Sequence, residues 1–247
     1  MTLTFISVLP SLLNTNGDAE NAVVLARRAR WAGLDASVVA VEELSDLPER
    51  VDAVIVGSGS DSTLSIARTA LLPFHDHFRR WGTEGVPILA VGTGWELLSW
   101  GIELASGGAI EGLGILPGRA VPGAGERRIG DLVVRSPRFG RLVGFENHAR
   151  DYVQAEASPL GRVQAGIGNG RGSSQEGVVM GSVFGTHLHG PVLAKNPAFA
   201  DAVLAEAAQR AGLAYAPGAA ALTIDAHAAA AREAQLRAAG LAPDAGP

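Results

Sequence analysis

Val86-Pro87-Ile88-Leu89-Ala90-Val91-Gly92-Thr93-Gly94-Trp95-Glu96 runs from a short apolar segment through a glycine-bounded turn into a helical pattern. Val86–Val91 has the length and apolar content of a buried strand, and Trp95–Leu104 reads as a helix. The turn between them has the form x-x-Nu-x-G of a nucleophile elbow, whose tip residue holds a strained backbone and presents its side chain above the sheet. The tip here is Gly92, which accepts that backbone without steric cost but offers no nucleophile. An ordinary glycine-rich strand-to-helix turn gives the same pattern.

The alternation extends upstream. Leu3–Val8, Ala36–Val41 and Val51–Val56 read as strands. Asp18–Trp31 reads as a helix behind a cap signal at Asn16–Asp18, and Asp61–Trp81 as a second helix broken near Pro73. Strands separated by helices predict an α/β fold, a parallel sheet with helices on both faces. Ligands of such sheets bind past the carboxyl ends of the strands. Two glycine-rich turns lie there, Gly57-Ser58-Gly59-Ser60-Asp61 and Gly92-Thr93-Gly94.

Between Gly107 and Gly185 the apolar runs shorten. Leu132–Val134, Leu142–Phe145, Arg162–Ala165 and Val178–Val183 read as strands, some antiparallel; helices over Pro197–Ala211 and Thr223–Ala239 follow. Neither a linker nor an internal repeat interrupts the chain, so residues 1–240 read as one domain, with a frayed tail over 241–247.

Composition excludes several classes. The chain has 247 residues, 47% of them hydrophobic, enough to bury a core. No apolar run approaches the ~18 residues of a membrane span. Met1–Pro10 lacks a basic leader region, which predicts a cytoplasmic protein. The 20 basic and 25 acidic residues are spread along the chain, which argues against a nucleic-acid partner. Cysteine is absent, which removes disulfides, thiolate metal sites and a cysteine nucleophile.

His187 and His189, in Gly185-Thr186-His187-Leu188-His189-Gly190-Pro191, follow a strand signal, and strand alternation places them on one side. A catalytic base with a neighbour, a metal pair and two packed core histidines all fit. No carboxylate is near in sequence, so no metal is expected. His75 and His77 read as surface residues of a helix, His148 as a turn residue, and His227 as solvated.

Five stretches occur in a familiar order: Leu12–Asp18, Val54–Asp61, Pro87–Leu98, Gly144–His148 and Gly185–Pro197. On these the chain resembles class I glutamine amidotransferases of the cobyric-acid-synthase-like branch, and within it the GatD-type glutaminase subunits of lipid II isoglutaminyl synthase. The resemblance implies a flavodoxin-like, mostly parallel sheet flanked by helices, with some antiparallel strands. It also implies a chemistry. A cysteine at the elbow attacks the side-chain amide of glutamine, a histidine serves as base, a thioester forms and ammonia leaves. The ammonia passes to a Mur-ligase-like, MurT-type partner, which uses ATP and Mg to amidate D-glutamate of the peptidoglycan precursor lipid II. No cofactor is implied for this chain.

Position by position, the resemblance makes His189 the base and Gly92 the occupant of the nucleophile position. It makes the N–H groups of Thr93 and of Ser58 or Gly59 the oxyanion donors. It aligns Arg128 with an arginine that binds glutamine, a role suited to a carboxylate. Ser60 and Glu96, carried over as substrate-binding positions, stand where the family has glutamines. Pro191 stands where most class I enzymes have an acid; this branch shares that lack and takes its third member from the ligase subunit. Gly92, Ser60 and Glu96 together, in a chain without cysteine, point to lost glutaminase chemistry in a subunit that still pairs with its ligase. The alternatives are an active glutaminase in which Gly92 has replaced a cysteine, and a non-catalytic sensor of glutamine or a related amino acid. Thr93, one residue past the tip, has its hydroxyl off the line of attack and does not replace a thiol.

Overall fold

The computed structural model describes residues 1–155 and 158–243. Its strands are β1 (Leu3–Val8), β2 (Ala36–Val41), β3 (Ala53–Val56), β4 (Ile88–Val91), β5 (Gly101–Glu103), β6 (Ala109–Glu111) and β7 (Arg119–Pro122). They continue with β8 (Arg128–Ser136), β9 (Gly140–His148), β10 (Arg150–Val153), β11 (Gly161–Ala165), β12 (Gln175–Glu176), β13 (Val178–Met180) and β14 (Val183–Thr186). The helices are α1 (Asn21–Trp31), α2 (Leu64–Leu71), α3 (His75–Glu84), α4 (Thr93–Leu98), α5 (Val192–Lys195), α6 (Pro197–Arg210) and α7 (Ala219–Ala238).

The main sheet has the order β13-β14-β4-β3-β1-β2. All its pairings are parallel except β13 with β14, which close as a hairpin. Successive side chains of a strand face opposite ways, so each central strand feeds two cores. Ile6, Val8, Val54, Val56, Ile88 and Ala90 pack with α2, α3 and α4 through Leu64, Leu71, Phe78, Trp81 and Trp95. Phe5, Ala53, Ile55, Leu89, Val91 and Phe184 pack on the other face with Leu25 and Ala29 of α1 and Phe199, Val203 and Leu204 of α6. The apolar runs lack polar alternation because both faces of this sheet are covered.

Two antiparallel-rich sheets accompany it, β10-β7-β5-β6 and β12-β11-β8-β9. The second is led by the nine-pair ladder of β8 with β9. It shares Leu132, Val134 and Leu142 with the second core, and turns Val133 and Val143 outward under Leu236 of α7.

The expected helix over 95–104 is shorter. Ser99 Oγ donates to the Glu96 carbonyl at 2.6 Å, the backbone at Ser99 is extended, and the chain re-enters a sheet at β5. The strand expected over 178–183 is two strands, reversed at Gly181, whose φ of 60° suits glycine. His148, expected in a turn, closes β9 and is buried. Of the tail expected to fray, Leu241 packs against the cluster of Val133, Val143 and Leu236, and the Ala242 carbonyl accepts from Arg141 at 2.8 Å; residues 244–247 lie outside the described residues. No helix among the described residues is long and apolar enough to cross a membrane.

Candidate functional site

Four connections leave the carboxyl ends of parallel strands and meet: residues 9–18 after β1, 57–61 after β3, 92–98 after β4 and 187–191 after β14. Their joints are close. Gly57 faces the Leu13 carbonyl with no room for a side chain. Thr15 N–H donates to the Ser58 carbonyl at 2.8 Å, and Gly92 N–H to the Thr186 carbonyl at 2.9 Å. Asn21, buried at the start of α1, accepts from Leu193 N–H at 2.9 Å and so ties the first connection to the last.

Gly92 is the tip between β4 and α4, at φ 55° and ψ −124°. A Cβ built there would lie 2.7 Å from Cε1 of His189 and 2.7 Å from Oγ of Ser58. The nucleophile position and the histidine are therefore adjacent. His189 is fully buried; its Nδ1 pairs with Asp18 Oδ2 at 2.9 Å and lies 3.2 Å from Asn16 Nδ2. Its backbone N–H donates to the Phe145 carbonyl of β9, 2.9 Å away. Its other ring nitrogen, Nε2, is buried without a hydrogen-bond partner among the described residues. This chain thus holds an Asp–His pair of its own, with Nε2 left for a reacting proton. The acid was absent from the two positions after the histidine, and it comes from the first connection. Asp18 lay inside one of the five family stretches, and a carboxylate past the first strand was the signal for it.

Thr93 Oγ1 accepts the N–H of Gly59, so that amide is engaged, and the hydroxyl faces the 57–59 turn. Ser60 is exposed and bonds within its own turn to Ser62 and Thr63. Glu96 is buried, and Arg150 holds its carboxylate at 2.9 and 3.0 Å while also reaching Asp61 at 2.8 Å. Arg128 is buried beside Asp151 at 2.8 Å, yet none of its nitrogens makes an aligned hydrogen bond among the described residues. Arg150, which meets Glu96 only because β10 lies against α4, carried no sequence signal.

His187 and His189 do not share neighbours, because β14 ends at Thr186 and strand alternation no longer governs them. The His187 ring stacks on His148 with centroids 4.0 Å apart and lies against Trp95. Its backbone N–H donates to Glu176 Oε1 at 2.6 Å, and Thr186 Oγ1 donates to the same oxygen at 2.8 Å. Burial, reinforced by neighbouring His148, holds His187 below the ordinary histidine value of 6.5. Burial alone would raise Glu176; the His187 side chain and backbone N–H and the Thr186 hydroxyl outweigh it and hold Glu176 below its usual 4.5. Both shifts make the unfolded chain the better proton acceptor, so stability falls as pH falls, first below about 6.5 and then below 4.5. One such group gives a slope of up to about 1.4 kcal/mol per pH unit. Thermal melts between pH 7.5 and 5 should show that loss, and His187→Gln should flatten it.

The model of the CobB/CobQ-like glutamine amidotransferase domain matches residues 14–197. The chain belongs to that family. It is 32% identical over 217 residues to the GatD subunit of the glutamine-hydrolyzing lipid II isoglutaminyl synthase of Staphylococcus aureus, covering 87% of this chain and 88% of the relative. The corresponding GatD subunit of Streptococcus pneumoniae is 33% identical over 189 residues, covering 75% of this chain and 73% of the relative. Among solved structures, PurLQS from Thermotoga maritima matches with a TM-score of 0.56 at 18% identity, covering 85% of this chain and 97% of that one. That last likeness concerns the fold, an α/β amidotransferase-like fold with a mostly parallel main sheet. This amidotransferase-family chain is GatD-like in sequence and contains no cysteine. It has a buried Asp18–His189 pair at the elbow and glycine at the elbow's tip.

Proposed function

We propose that this chain is a non-hydrolysing GatD-like subunit that pairs, in the cytoplasm, with a Mur-ligase-like, MurT-type partner in amidation of the D-glutamate of lipid II. ATP and Mg act on the partner. One observation carries the reading: the elbow backbone and the histidine survive, and the position between them has no nucleophile. A thiol is both more acidic and more nucleophilic than a hydroxyl, and loss of an activated nucleophile removes several orders of magnitude in rate. Similarity over 88% of the GatD length supports a retained subunit role. The partner then draws on free ammonia.

The test is co-expression with the Mur-ligase-like protein of the same genome. The two chains should co-purify, and glutamate release from glutamine should stay at background with or without the partner. Ammonium, and not glutamine, should support amidation by the pair. Failure to co-purify, or glutamine turnover by the unmodified chain, overturns the reading.

The Arg128 guanidinium favours a second reading alongside it, binding of glutamine or a related amino acid without turnover. Arg128 is buried with the Asp151 carboxylate 2.8 Å away, yet none of its nitrogens makes an aligned hydrogen bond among the described residues, so its remaining donors could take a second carboxylate. Calorimetry should then show glutamine binding that Arg128→Ala weakens at least tenfold; no heat in the parent chain removes this reading.

A further inference from the structure

Gly92 alone does not account for the closed nucleophile position. We infer that Ser58 is its coupled counterpart: the serine side chain occupies the space a thiol at position 92 needs, so the elbow is silenced by two residues acting together. This deepens the reading of a lost nucleophile and rests on it.

The geometry is local. A Cβ on residue 92 would come within 2.7 Å of Ser58 Oγ and 3.0 Å of Ser58 Cβ, closer than side-chain carbons normally approach such atoms. Turning the serine rotamer moves Oγ but leaves its Cβ in place. A sulfur one bond beyond the new Cβ needs still more room. The second neighbour, His189 Cε1, lies at 2.7 Å. The histidine is anchored by Asp18 on Nδ1 and, through its backbone N–H, by the Phe145 carbonyl. Among the described residues the Ser58 hydroxyl has one weak hydrogen bond, accepted from Thr93 Oγ1 at 3.5 Å. Of the two obstacles, the serine side chain is therefore the one that can be removed without dismantling the base. The 57–59 turn itself does not depend on it, because its ties run through the Ser58 carbonyl and the Gly59 N–H.

A double-mutant cycle tests the coupling. The four proteins are the parent, Gly92→Cys, Ser58→Gly and the double variant. Because the parent has no cysteine, position 92 carries the single thiol of both cysteine variants. The readouts are the melting temperature and the rate of alkylation by iodoacetamide, neither of which needs a partner. Ser58→Gly should lower the melting temperature in the parent background, since glycine adds freedom to the unfolded chain. It should raise it in the Gly92→Cys background, and the thiol of the double variant should alkylate at least tenfold faster than that of Gly92→Cys. Equal effects of Ser58→Gly in both backgrounds, with equal alkylation rates, overturn the inference. If neither cysteine variant accumulates, the same cycle with Gly92→Ala reads the Cβ clash by melting temperature under the same criterion. Partner co-purification, measured separately, reports on the functional reading, so the two fail independently.

Discussion

Gly94→Ala should leave little folded protein. Gly94 lies two residues past the elbow tip, in the first turn of α4, where the helix comes down onto the end of β3. A methyl group there would run into the Gly57 carbonyl oxygen and stand 2.7 Å from that of Val56. These obstacles are main-chain atoms of a buried strand and its turn, so no side chain can rotate to relieve them. Either α4 lifts from the sheet or β3 shifts against its neighbours, and both movements open the core around Trp95 and Leu97, which are fully buried. Overpacking a close-packed core typically costs about 1–3 kcal/mol, and a clash with fixed backbone belongs above that range. Stability of a domain is only about 5–15 kcal/mol. The expected result is a fall of well over roughly 10 °C in melting temperature, or insoluble expression. Gly130→Ala is the control, since a Cβ there meets nothing within 4 Å; it should melt close to the parent. A Gly94→Ala protein that melts with the parent would show that α4 does not approach β3 this closely.

Arg28→Leu should produce the second large loss, far from the elbow. The Arg28 side chain is 4% exposed and forms paired bonds to Asp201 of α6 and Asp225 of α7, at 2.6–3.0 Å. Tyr215 also donates to Asp201. One guanidinium therefore fastens three helices, and its planar fork matches two carboxylates at once. Leucine fills part of the volume but leaves two neighbouring carboxylates without their cation. Removing one member of a buried ionic group costs about 3–5 kcal/mol. For a domain of this size that is a drop of roughly 6–20 °C. Asp225→Asn should cost much less, because Asp201 keeps its two bonds. Equal losses for the two variants would mean that α7 docking, and not the charge on Arg28, governs the effect.

The central sheet was readable in the sequence for a physical reason. β1, β3 and β4 are covered on both faces, so they appear as unbroken apolar runs that end in turns. The short strands β5, β6, β7 and β10 lie in a region dense in glycine, proline and arginine, and three or four residues carry too little periodicity to be seen. The elbow was legible because its glycine spacing is local. Of its partners, His189 was named through the resemblance, and Asp18 was not. Asp18 meets His189 only because β1 and β14 deliver their ends to one edge of the sheet, a fact of strand order. Ser58 was named for its backbone N–H alone; the role of its side chain emerges when a side chain is placed on Gly92 and collides with it. Glu96 was noticed as a departure, but its partner Arg150 could not be named before β10 was placed beside α4.

The pairing of Asp18 with His189 joins residues 171 positions apart. Contacts so distant in sequence close long loops, and such loops form late. During synthesis β1, β2, β3 and β4 can assemble around α1, α2 and α3 while the rest of the chain is still being made. The buried carboxylate must wait in water until β14 slots in beside β4 and brings its imidazole. Protection of the Leu188 and His189 amides in pulsed hydrogen exchange should therefore lag behind that of Ile6 and Ile55. The elbow pocket then becomes dry only after the sheet on which it stands.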